Sequence, residues 1–127
     1  MAIYLARKLS LALAENSAYK PALTNRDLPQ LSDSTLTGTT TDRRTIAVST
    51  NVQINLGGIT TARAILVETD AEVRLRIDAQ ANDFVPIKPI SAGQQAVGYL
   101  ETSATQVWLE NPSATVIANV TVTIAGT

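Results

Sequence analysis

Thr105–Gly126, TQVWLENPSATVIANVTVTIAG, is the stretch that decides the fold class. From Val116 to Ile124 it alternates strictly. Val116, Ala118, Val120, Val122 and Ile124 share one side; Ile117, Asn119, Thr121 and Thr123 share the other. A period of two is that of a half-buried β-strand, because successive side chains of a strand point to opposite faces. Just upstream, Val107 and Leu109 alternate with Gln106, Trp108 and Glu110. Asn111-Pro112-Ser113 separates the two runs with turn chemistry, so they read as a closing hairpin.

Working outward, Thr45–Leu56 puts Ile46, Val48, Val52, Ile54 and Leu56 on one face and reads as one strand ending at the Gly57-Gly58 turn. Ile59–Thr69 follows. Its continuous apolar centre Ala64-Ile65-Leu66-Val67 predicts a strand covered on both faces. After a turn at Asp70-Ala71, Val73, Leu75 and Ile77 alternate with Glu72, Arg74, Arg76 and Asp78, giving a fully charged outward face. Phe84–Ile90 carries Pro86 and Pro89, which cannot donate to a ladder, so it reads as an edge strand or an extended segment rather than a central strand. Gln95–Leu100 is another short strand. Residues 3–14 fit a helix face through Leu5, Leu9 and Leu13, and equally a strand face broken by Arg7; the β character of the rest favours strand. The expectation is an all-β protein, a two-sheet antiparallel β-sandwich, with the jelly roll as one form of it.

The chain of 127 residues is expected to form a single domain over 1–127, able to bury roughly two thirds of its unfolded surface. Within it, 16–44 is polar and rich in Ser, Thr, Asn and Asp, with Pro21, Pro29 and Gly38. So long a segment without a pattern predicts an extended arm or long loop. Its scattered apolar residues Tyr19, Leu23, Leu28, Leu31 and Leu36 are candidate anchors, either on the chain's own surface or on a neighbouring subunit.

Composition removes much chemistry. There is no cysteine and no histidine, so thiolate nucleophiles, Ser-His-Asp triads and the common zinc ligand sets are impossible. Net charge is −1, which makes no electrostatic case for nucleic acid. Neither a signal peptide nor an apolar run of about 18 residues is visible, so no membrane partner is expected. Glu68, Asp70 and Glu72 alternate across a turn, and Asp78, Asn82 and Asp83 offer oxygen ligands, but neither set has a calcium-loop register. We expect no catalytic, metal or cofactor site and no enzyme activity. The candidate interface residues are Tyr19, Leu23, Leu28, Leu31, Arg43, Arg44, Arg74, Arg76 and Trp108. Trp108 stands out: an outward Trp on a strand calls for cover by the chain itself, a partner subunit or a sugar.

Several stretches together resemble small β-sandwich virion proteins of tailed bacteriophages. They are the start MAIYLARKLSLALAE, the polar arm, ITTARAILVETDAEVRLRID and the ending VWLENPSATVIANVTVTIAG. The resemblance is one of texture and carries no signature motif. It implies a non-enzymatic virion protein: a capsid decoration (cement) protein, a head fibre base, or a head–tail, collar or tail adaptor. It further implies a homo-oligomer with the trimer favoured, partners such as the major capsid protein or other virion subunits, and assembly in the host cytoplasm. A carbohydrate-binding sandwich is the alternative.

Overall fold

A computed structural model of the chain describes residues 3–7, 10–14, 22–27 and 31–127, with side chains from Leu36 onward. The chain divides into two compact units, Met1–Leu36 and Thr37–Thr127, where the sequence reads as one domain.

The first unit contains four short strands: β1 (Ile3–Arg7), β2 (Ser10–Ala14), β3 (Ala22–Asp27) and β4 (Leu31–Leu36). β1 pairs antiparallel with β4, and β2 with β3, so the pairings nest one inside the other. Residues 3–7 and 10–14 are therefore β, as expected. Residues 22–27 and 31–36 are also paired, so 16–44 is not one uninterrupted loop.

The second unit holds eight strands: β5 (Gly38–Ile46), β6 (Thr50–Gln53), β7 (Ala62–Thr69), β8 (Val73–Ile77), β9 (Val85–Ile87), β10 (Ala96–Ala104), β11 (Val107–Asn111) and β12 (Ala118–Gly126). They form two antiparallel four-stranded sheets, β10-β7-β12-β5 and β6-β11-β8-β9. The all-β two-sheet sandwich is thus what the alternation predicts. The pairings β5–β12, β6–β11, β7–β10 and β8–β9 describe a chain folded back once at its middle and rolled up, which is the jelly-roll arrangement. Ile46, Ile54, Ile65, Val67, Val73, Val107, Leu109, Val122 and Ile124 are fully buried and form one core cluster. No described residue is helical.

Four sequence expectations change. First, the closing hairpin is absent: β11 and β12 belong to different sheets. Asn111 explains the crossover. It is the inward, fully buried last residue of β11. Its Nδ2 donates to the carbonyls of Ile46 (3.1 Å) and Val116 (2.8 Å), and its Oδ1 accepts from Ser113 N (3.0 Å). A buried amide keeps its place only when so satisfied. Val116 and Ile117 consequently fall in the crossover and are exposed, although alternation places Val116 inward.

Second, Thr45–Leu56 is not one strand. It breaks at Ser49, whose φ of 51° lies in the left-handed region, and passes from β5 in one sheet to β6 in the other. Third, 38–44, read as the end of the arm, is most of β5, paired along its length with β12. Threonine suits a pleated sheet, but the run GTTTDRRTI shows no apolar alternation because it is an edge strand facing water. Fourth, β7 is covered on both faces only over part of its length, with Ala64 buried on the second face. Ile65 and Val67 are buried inward, while Leu66 is half-buried and Glu68 exposed on the other side.

Proline places β9 as predicted. Pro86 sits in a three-residue strand at the end of its sheet. Glycine is required at two close approaches. A Cβ on Gly126 would overlap the Thr61 carbonyl, and one on Gly98 would lie 2.5 Å from Ile87 Cδ1 across the sandwich.

Candidate functional site

Two adjacent strands, β8 and β11, build the most structured surface of the sandwich. In β8, Val73 and Leu75 turn inward, which sends Arg74 and Arg76 outward. In β11, Val107 and Leu109 turn inward, which sends Trp108 and Glu110 outward. The antiparallel register places Trp108 opposite Arg76 and Glu110 opposite Arg74. On the far side of β11, Gln53 lies opposite Trp108 and Asn51 opposite Glu110.

The charges on this face are organised around Glu110. Arg76 Nη1 pairs with Glu110 Oε2, and Arg74 Nη1 lies 3.9 Å from Glu110 Oε1. Arg76 Nε also donates to the Asn82 carbonyl at 2.9 Å. Phe84, just before β9, carries both guanidinium groups on its ring, at 4.4 Å for Arg74 and 5.1 Å for Arg76. Such stacking suits arginine, whose planar, weakly hydrated cation tolerates an aromatic face. Trp108 is half-buried, and its indole N–H donates to Gln106 Oε1 at 3.0 Å. Arg74 Nε and Asn51 Oδ1 are buried without a hydrogen-bond partner. The face therefore combines two fixed cations, one carboxylate, two aromatic rings and two unspent polar atoms. Chemically it can present shape and charge to a partner.

The other predicted residues distribute differently. Arg43 and Arg44 lie next to each other on β5, in the opposite sheet from Arg74, Arg76 and Trp108. Arg43 is exposed on the outer side, where with Thr45, Glu68, Asn119 and Thr121 it lines a shallow depression. Arg44 is half-buried on the inward side of β5 and pairs with Asp42 through Nη2 (2.6 Å) and Nε (2.9 Å). Leu23 and Leu31 lie in β3 and β4; Tyr19 and Leu28 lie outside the described residues.

The acidic turn is structural in its contacts. Both carboxylate oxygens of Asp70 accept from Asn119, Oδ1 from the backbone N–H and Oδ2 from Nδ2, each at 2.8 Å. Those bonds, the side-chain one first, hold its carboxyl below the usual 3.8. Among the described residues, no three His, Cys, Asp or Glu side chains converge as a metal set. Asp78, at a positive φ of 67°, instead receives Thr105 N at 2.8 Å.

Sequence reasoning finds Arg74, Arg76, Trp108 and Glu110 as outward residues, since alternation alone locates them. It misses Phe84 as their platform and Asn82 as a carbonyl anchor, because no local pattern connects a loop to the strand that turns beneath it. No family model, no curated protein and no solved structure matches this chain.

Proposed function

We propose that this chain is a non-enzymatic structural subunit of a phage virion, of the capsid-decoration kind, acting by holding neighbouring subunits in place. The observation that carries the reading is the pairing of a jelly-roll sandwich with a prebuilt charged-aromatic face, Arg74, Arg76, Glu110, Phe84 and Trp108. Jelly rolls serve viral capsids, lectins and cupins; the fold does not choose among these, so the surface must. The virion resemblance across most of the sequence supports the first.

On this reading the partner is a capsid shell or another virion subunit, met in the host cytoplasm during assembly. Fixed ion pairs at the margin of a contact give orientation and selectivity more than affinity. A repeated shell supplies the rest, because many weak contacts in an array act at high effective concentration. The separate strand unit Met1–Leu36 gives each copy a second body through which to reach neighbours.

The test is particle incorporation. Purified particles of the phage that encodes the chain are probed for it by mass spectrometry, and shells lacking it are incubated with the native chain and sedimented. We expect stoichiometric binding, weakened by Arg74→Glu with Arg76→Glu. A chain absent from particles and unable to bind their shells ends this reading. A reconstruction of the particle then separates head surface from collar and tail positions. The glycan alternative rests on Trp108 with Gln53 beside it on the outer face. It requires glycan-array binding that Trp108→Ala abolishes.

A further inference from the structure

We infer that the β9–β10 flank of the sandwich is a two-fold self-association surface, on which β10 pairs antiparallel with β10 of a second copy of this chain. The inference stands on the sandwich alone and does not rest on the virion reading.

A sandwich of two four-stranded sheets has four edge strands, and an unguarded edge recruits another strand. Three edges here are guarded. β5, an edge strand, carries the half-buried Asp42–Arg44 ion pair on its inward side. β6 has four residues. β9 has three, one of them Pro86. β10 has nine residues, no proline and a single charge, Glu101. It ends its sheet, with β7 on one side only.

The surface chemistry of the same flank is apolar. Of the seven exposed large hydrophobic residues described, four lie in β9, in β10 or between them: Val85 (51%), Ile90 (98%), Val97 (66%) and Tyr99 (49%). Val85 is especially informative. It shares strand parity with the buried Ile87, so it points toward the sandwich interior, yet half of it is accessible because the flank is open. Ile87 itself packs under Gly98 of β10, which fixes the two strands one above the other. Val97 and Tyr99 stand exposed on the outer side of β10, an apolar pair at an open edge of the kind that marks a protein contact.

The occupant follows from the pattern along β10. In an antiparallel register centred on Gly98, Val97 falls opposite Tyr99 of the partner subunit, and the pair occurs twice by symmetry. Gln95 falls opposite Glu101 of the partner subunit, and Ala96 opposite Leu100 of the partner subunit. Over 95–101, apolar residues meet apolar ones and polar residues meet polar ones. Aromatic with β-branched residues is a favourable cross-strand pair. A shift by two residues puts Val97 against Glu101 of the partner subunit and loses this match. The two-fold contact also closes on itself, leaving no β10 edge to recruit further copies.

The chain has no native cysteine, so the register is testable directly. Light scattering after size exclusion of the full chain is expected to give a dimer, or an even-numbered assembly built on dimers. Val97→Lys is expected to raise the dissociation constant about 100-fold, since each closure then sets two lysines against apolar partners. Thr41→Lys, on the far strand β5, leaves the mass unchanged and controls for added charge. Thiol cross-linking of a Val97→Cys chain mixed with a Tyr99→Cys chain is expected to exceed that of either alone. A monomer, a trimer, or an oligomer indifferent to Val97→Lys overturns the inference. So does a monomer whose β10 amides are protected from exchange, because the edge is then covered within one chain. Each of these leaves particle binding as a separate measurement.

Discussion

At Asn111 one side chain satisfies three backbone groups where the chain leaves one sheet for the other. Replacing it by alanine strands the buried Ile46 carbonyl and the part-buried Val116 carbonyl and Ser113 N–H, groups costly to leave unpaired. Asn111→Ala is expected to lower unfolding free energy by about 3 kcal/mol, read from urea midpoints. Asp70 acts more weakly, at the surface, and its effect has a sign. Its folded carboxyl lies below the usual 3.8. The stabilisation from Asn119 is therefore present above that value and lost as pH falls through the folded value. The urea midpoint of the native chain should exceed that of Asp70→Asn at pH 7, and the gap should close below about pH 3.8. A constant gap down to pH 2 would show that the Asn119 bonds contribute nothing through ionisation.

Among elements, the edge strands differ in what they do. β5 looks unlike a sheet strand in sequence, yet it pairs with β12 from Gly38 to Ile46. Its Asp42–Arg44 pair is half-buried at the margin of the core. Charges pointed inward at an edge disfavour pairing with a second chain. Replacing both residues by valine should leave the fold intact by circular dichroism while adding a second mode of self-association. Light scattering would show it as mass beyond that of the native assembly; unchanged mass would refute the guarding role. In β8 and β11 the outward residues were legible from alternation, and the register then made them a unit. Arg76 and Glu110 are 34 positions apart, a distance over which no spacing rule connects two side chains.

For the whole molecule, the division at Leu36–Thr37 is the feature with a direct consequence. Among the described side chains, every member of the buried core cluster lies between Ile46 and Ile124. A chain starting at Thr37 should therefore unfold cooperatively, with a urea midpoint close to that of the full chain; loss of cooperativity would show that the first unit completes the core. Sequence alone determined that this is a β protein with inward rows at Val107, Leu109, Val120, Val122 and Ile124, an edge segment at Pro86, and outward Arg74, Arg76 and Trp108. Those are consequences of the two-residue period and of proline chemistry, both local. Only the tertiary structure decided that β11 and β12 part company at Asn111, that 38–46 is a strand, and that Phe84 supports two arginines. Sheet membership and such contacts depend on partners far along the chain. A strand's own residues specify which side faces inward; they do not specify which strand lies beside it.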